Sequence, residues 1–195
     1  MIVFARHGET AVNREGRLQG RVNAVLDERG TVQAAALAAA LAPESVARVV
    51  SSPLRRAQQT AETIAAAHDL PVDLDDRLIE LDYGIWDGVA MGDVSADDWA
   101  RWRTDPSFAP PGGESLVEVS KRVVSFCQDA LTDETVVAVS HVSPIKAAVC
   151  WALGADESAS WRMHLAVASL SRVGARPDGG AVLLSYNETA HLTSP

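Results

Sequence analysis

The sequence predicts an α/β fold: a three-layer sandwich on a mainly parallel central sheet, with a small cap. One local pattern that occurs three times carries this prediction. A short apolar run stops abruptly at polar or glycine-bearing residues, and a helical pattern follows. The first run, Ile2 to Ala5, stops at Arg6-His7-Gly8. The second, Val46 to Val50, precedes Ser51-Ser52-Pro53, and the third, Val136 to Val139, precedes Ser140-His141. Unbroken apolar runs bounded by turn residues are the pattern of strands buried on both faces. Strands that alternate with helices pair in parallel, since the helix carries the chain back to the starting edge.

The elements between these strands follow from local signals. Asp27 to Leu41 has alanine and leucine at helical spacing, acidic residues at its start and Pro43 just beyond its end. Ser52 and Pro53 offer a capping hydroxyl and an early proline for a helix from about Leu54 to His68. Residues 81–114 are rich in glycine and proline and hold Trp86, Trp99, Trp102 and Phe108, which reads as a loop-and-short-helix cap over the sheet edge. A helix over Ser115 to Leu131 follows, and another over Pro144 to Leu153 after the third strand. Two last strands, Ala168 to Val173 and Val182 to Tyr186, flank the turn sequence Pro177-Asp178-Gly179-Gly180. With no internal repeat or linker, residues 1–195 read as one domain with the cap inserted at about 81–114.

Composition narrows the function classes. A chain of 195 residues that is 47% hydrophobic and 22% charged can bury a sizeable core. No stretch approaches the roughly 20 apolar residues of a membrane span, and Met1-Ile2-Val3-Phe4 runs into Arg6 without the pattern of a secretory signal. Cys127 and Cys150 fall in helical patterns without metal-ligand spacing, as expected of reduced thiols in a cytoplasmic protein. A net charge of −9 repels nucleic acid and anionic membranes, so neither is an expected partner. A small anion remains an expected ligand wherever a few arginines focus positive potential in a cleft. The predicted assembly is a monomer or a homodimer.

Four groups carry possible chemistry. His7, at a strand's end, is a nucleophile when its imidazole is neutral, and Arg6 beside it offers a planar fork that matches phosphate oxygens. Gly8 allows close backbone approach. Arg55 and Arg56 lie at a helix start and differ by about 100° in direction, so only one can face a given ligand, and geometry leaves open which. Glu80 could protonate a leaving alkoxide, and His141, at another strand end, could bind phosphoryl oxygens. His68, His164 and His191 have no motif around them, and Asp75, Asp76, Asp97 and Asp98 read as surface charges. The sequence carries no Walker loop, no H-E-x-x-H and no grouped Cys/His ligands, so neither metal nor cofactor is expected.

The run Arg6-His7-Gly8-Glu9-Thr10, with Asn13, Gln19-Gly20 and the spaced set Leu26, Gly30, Gln33 and Ala34 behind it, resembles the signature of the histidine phosphatase (phosphoglycerate mutase-like) superfamily. Ser51 to Ala61, Glu80 with Trp86-Asp87-Gly88, and Ser140-His141 extend the resemblance over nearly the whole chain, with Asp87 where the family usually has Glu and Val142 where it usually has Gly. The resemblance implies a phosphoglycerate mutase-like fold and a metal-independent phosphomonoesterase. It implies His7 as nucleophile, Glu80 as acid and base, and His141 beside the phosphoryl group. It further implies Arg6, Asn13, Gln19, Arg55 and the Val142 amide as phosphate ligands, with a small-molecule phosphomonoester as substrate. A cofactor-dependent phosphoglycerate mutase and a non-catalytic phosphate-binding module are the alternatives. Ser140 to Lys146, Arg162 to Leu165 and Ala168 to Ser171 are similar to the phosphatase half of actinobacterial proteins that fuse ribonuclease H to an α-ribazole phosphatase-like domain. That similarity implies α-ribazole phosphate, or a broad acid phosphatase range, as the substrate.

Overall fold

The computed structural model describes residues 1–192. In chain order the elements are β1 (Ile2–Arg6), the short α1 (Ala11–Arg14), α2 (Glu28–Leu41), β2 (Val46–Ser51), α3 (Arg55–Ala66), β3 (Val72–Leu74), α4 (Ala96–Thr104), α5 (Leu116–Ala130), β4 (Thr135–Ser140), α6 (Val142–Leu153), β5 (Leu170–Ala175) and β6 (Ala181–Glu188). The strands form one sheet in the order β3-β2-β4-β1-β5-β6. β1 to β4 are mutually parallel, and β5 and β6 add an antiparallel edge. The predicted mainly parallel sheet is therefore present, with β3 as an extra strand. Its three residues are largely exposed, which is why no apolar run announced it.

Alternate residues of β1 and β4 point to opposite faces, and each face has its own core. Ile2, Phe4, Val136 and Ala138 pack with α5 and α6 on one side. Val3, Ala5, Val137 and Val139 pack with α2 and α3 on the other. This places helices on both faces, and it aligns the carboxyl ends of the four parallel strands along one edge. Ligands in open α/β sheets bind at that edge.

Two boundaries differ from expectation for local reasons. Helix α6 begins at Val142 and not at Pro144, because His141 occupies the N-cap position and a proline in the first turn removes an N–H that would have no helical acceptor. Strand β5 begins at Leu170 and not at Ala168, whose φ of 52° lies in the left-handed region and interrupts extended backbone.

The first turn of α2 buttresses the loop after β1. A Cβ on Gly30 would stand 2.0 Å from the Glu9 carbonyl oxygen, and one on Gly8 would stand 2.4 Å from the Gly30 oxygen. Gln33 Oε1, one helical turn on from Gly30, accepts the Glu9 N–H at 2.8 Å. The glycines thus bring the two backbones into contact, and the glutamine fixes their register. Gly30→Ala is expected to lower stability by about 1–3 kcal/mol in urea unfolding, the usual cost of overpacking. Gly92→Ala, where a Cβ would meet nothing within 4 Å, is the matched control and is expected to stay near wild type.

Candidate active site

β1 and β4 pair in parallel with Arg6 opposite Ser140, so His7 and His141 both follow one residue beyond the paired ends. The His7 N–H extends the ladder by donating to the Ser140 carbonyl at 3.1 Å. The two imidazoles lie 5.0 Å apart, centroid to centroid, and both are buried.

Between them sits the guanidinium of Arg56. Its Nε–H is shared by His7 Nε2 and His141 Nδ1, each at 3.2 Å. Its other nitrogens donate to the carbonyls of Val22 at 2.7 Å and Gly20 at 2.8 Å. Arg56 has no exposed surface, whereas Arg55 faces solvent and only its backbone N–H is engaged, by Asn23 at 2.8 Å. The assignment of the site arginine to Arg55 is therefore corrected to Arg56. With α3 starting at Arg55, the next residue turns about 100° and points down onto the strand ends.

These hydrogen bonds fix the state of both histidines. His7 Nδ1–H donates to the Gly8 carbonyl at 2.7 Å, which leaves Nε2 unprotonated and accepting the Arg56 Nε–H. His141 accepts at Nδ1 and donates from Nε2–H to Ser52 Oγ at 2.7 Å. Burial, followed by the charges of Arg56 and Arg6, holds the His7 imidazole well below its ordinary titration range. Burial and Arg56 do the same to His141. Arg56 is itself brought down to about 10 by burial, partly offset by Glu80, and so stays cationic at neutral pH.

The remaining predicted residues surround the same point. Arg6 donates from Nη1 to the Leu165 carbonyl at 2.5 Å, and its buried Nε has no acceptor. Asn13 closes a capping box with Thr10, whose hydroxyl reaches Asn13 Oδ1 at 3.1 Å and Gln19 Oε1 at 3.2 Å. The Thr10 N–H donates to Asn13 Oδ1 at 3.2 Å, which frees the single hydroxyl proton for Gln19 Oε1, and the buried Gln19 Nε2 is left without a partner at the cleft wall. Glu80 accepts from Leu81 N–H at 2.8 Å and Ser143 N–H at 3.1 Å on one oxygen, and from Val142 N–H at 3.1 Å on the other. The expectation that the Val142 amide is a phosphate ligand is corrected here. The amides at the start of α6 attract the nearest anion, and that anion is the Glu80 carboxylate.

Several further residues support the site. Ser52 orients His141, and Thr60 accepts the Gly8 N–H at 3.2 Å. Gly20, at φ +47°, leaves no room for a Cβ against Asp87, which accepts the Arg21 N–H at 3.0 Å and the Tyr83 N–H at 3.2 Å. The shorter Asp87 thus spans from loop to loop where the family usually has Glu. Segment 81–114 is tied to the loop of Gln19 and Gly20, since Leu18 N–H donates to the Val89 carbonyl and Gly88 N–H to the Leu18 carbonyl, at 2.8 and 2.7 Å. Trp86 and Phe108 fill that segment's own core, while Trp99 and Trp102, with Trp161 from outside it, form an aromatic wall of the cleft. The cleft is about 530 Å³ in volume, and His7, Arg6, Arg56, Glu80, Asn13 and Gln19 all open onto it. Exposed His164 lies at its lining, whereas His191 donates to the Ala168 carbonyl at 2.8 Å and His68 lines no part of it.

A parallel sheet that ends in two neutral imidazoles, two arginines and a carboxylate defines an α/β protein whose strand ends gather positive charge around two unprotonated ring nitrogens. The chain belongs to the histidine phosphatase superfamily (branch 1), whose model matches residues 2–189. It is 39% identical, over 98% of its length, to a Mycobacterium tuberculosis protein described as bifunctional, and it spans about half (54%) of that relative. It is 38% identical to phosphoserine phosphatase 1 of Hydrogenobacter thermophilus, over 98% of this chain and 93% of that one. Mycobacterial glucosyl-3-phosphoglycerate phosphatase, solved with VO3, superposes with a TM-score of 0.86 at 31% identity, covering 96% of this chain and 98% of that one. Among the described residues no helix is long and apolar enough to cross a membrane.

The buried neutral imidazoles set a pH dependence. In the unfolded chain both histidines take up protons below about pH 6.5, while the folded protein keeps them neutral. The unfolded state then binds more protons, so stability falls as pH drops below that value and levels off above it. Urea unfolding between pH 5.5 and 7.5 is expected to show this slope, and the double variant His7→Asn/His141→Asn is expected to lose most of it. Equal slopes in the two proteins would contradict neutral burial.

Proposed function

We propose that the protein is a phosphomonoesterase that hydrolyses small phosphate esters through a phosphohistidine intermediate on His7. The observation that carries this reading is the unprotonated His7 Nε2 at the cleft, set by the Nδ1–H bond to Gly8 and engaged only by an Arg56 N–H that it shares with His141, which a phosphoryl oxygen can take over. A substrate phosphoryl group takes the open donors of Arg6, Arg56, Asn13 and Gln19, which distribute positive charge over its oxygens. His7 Nε2 then attacks phosphorus in line with the ester oxygen; the P–N bond forms, the P–O bond breaks, and the departing alkoxide takes the proton that the monoanionic substrate phosphate brought and the Glu80 carboxylate relays. A water next attacks the phosphohistidine and gives a proton to Glu80. Glu80 passes that proton to the departing phosphate and is a carboxylate again, and the imidazole is neutral again.

The named relatives support small phosphate esters as the substrate class, since their descriptions specify phosphoserine and glucosyl-3-phosphoglycerate. α-Ribazole phosphate rests on the resemblance of three sequence segments and gains no support from these relatives. We also expect no metal requirement and a cytoplasmic setting, the first because two arginines supply the charge that a cation would otherwise bring.

His7→Ala is expected to abolish phosphate release with the fold retained, and quenched wild-type enzyme to carry an acid-labile, alkali-stable phosphoryl group. Arg56→Ala is expected to lower kcat/KM by at least a hundredfold and Arg55→Ala by less than threefold. Undiminished turnover by the His7 variant would end this reading. Hydrolysis is expected to withstand prolonged EDTA treatment; loss on chelation with recovery on added Mg²⁺ or Zn²⁺ would refute the metal-independent mechanism.

A further inference from the structure

Lys146 has no role in the chemistry above. It sits on α6 four residues beyond Val142, about 6 Å along the axis, and is half-buried. Among the described residues no carboxylate lies within ion-pair distance of its ammonium group and no hydrogen-bond acceptor contacts it, although the other lysine and most arginines of this acidic chain are exposed or paired. A half-buried cation without a partner is costly, and sites built for an anion are where such a cation is retained.

The surroundings point the same way. Lys146 lines a small cavity of about 70 Å³ together with Tyr83, Ser143, Ser160, Trp102 and Trp161. Val142, Tyr83, Trp102 and Trp161 line both this cavity and the main cleft, so the two adjoin on the Glu80 side. The indole N–H groups of Trp102 and Trp161 are buried without an acceptor, although Trp102 is only 3% exposed. Buried N–H groups ordinarily find a partner. The lining residues therefore include an unpaired cation, and the charges of Glu80 and Arg6 are near enough to act on it. The volume suits a carboxylate and not a ring or a second phosphoester.

We propose that this side cavity seats a carboxylate carried by the alcohol half of the substrate, with Lys146 as its counter-charge, so that the preferred substrates are phosphate monoesters of small hydroxy acids. The proposal rests on the hydrolase reading for its substrate class, and its test is kept separate from turnover. Binding of phosphoserine and of phosphoethanolamine, which differ by the carboxylate alone, is measured by calorimetry on His7→Ala protein with Lys146 intact, with Lys146→Met and with Lys146→Arg. The preference for phosphoserine is expected to fall at least tenfold in the Met variant and to return in large part in the Arg variant. An equal loss for both esters, or a preference that does not change, would overturn the subsite. Phosphate release by the wild-type enzyme is assayed alongside: a shifted binding preference without hydrolysis would reject the hydrolase reading and leave the subsite standing.

Discussion

The site depends on one cation placed where a cation is expensive. Arg56 is fully buried, and its Nε–H is held between the two imidazoles at the ends of β1 and β4. Removing a guanidinium from water is tolerable only when its donors find acceptors, and here the Gly20 and Val22 carbonyls and two ring nitrogens supply them. The same contact determines the chemistry of its neighbours. A positive charge at hydrogen-bond distance opposes protonation of either imidazole, so each keeps a lone pair directed at the arginine, and the opposite nitrogen of each ring must carry the proton. Burial and this one side chain together set the charge state of both rings, and the Arg56 N–H with the Gly8 carbonyl and Ser52 hydroxyl sets their tautomers.

The rest of the architecture brings carbonyls and helix ends to that cation. In-register parallel pairing delivers both histidines to one point. The loop over residues 20–22, which accepts from Arg56, is held by Asp87 and by segment 81–114. The loop of His7 is pressed against α2 through Gly8 and Gly30. On the far side, the first amides of α6 hold Glu80, and the Ser140 hydroxyl donates to the Leu78 carbonyl at 2.7 Å, fixing the segment from which Glu80 projects. A helix start that would otherwise attract an external anion is thereby used to place Glu80.

Most of this was legible in the sequence, and the failures have physical causes. Buried parallel strands leave continuous apolar runs, so three of the four were readable, while exposed three-residue β3 left none. The histidines, Glu80, Arg6, Asn13 and Gln19 lie on or beside short motifs. Arg55 and Arg56 are chemically identical, and only the angle at which α3 meets the sheet separates them. Val142 was misjudged because a motif records that an amide is present and not which anion claims it. Ser52, Thr60 and Trp161 act through single long-range contacts, which leave no periodicity behind. Gly30 and Gln33 were visible as a motif, but their effect on the Glu9 backbone required coordinates.

The central claim is that Arg56 keeps both active-site imidazoles neutral and oriented, and nitrogen-15 NMR of histidine-labelled protein reads this directly. The account predicts two buried imidazoles that stay neutral from pH 7.5 down to pH 5.5, with the proton on Nδ1 in His7 and on Nε2 in His141. In Arg56→Met both rings are predicted to titrate at higher pH than in the wild type. An imidazolium signal for His7 in the wild-type protein at pH 6.5, or titration curves indifferent to the loss of Arg56, would contradict it.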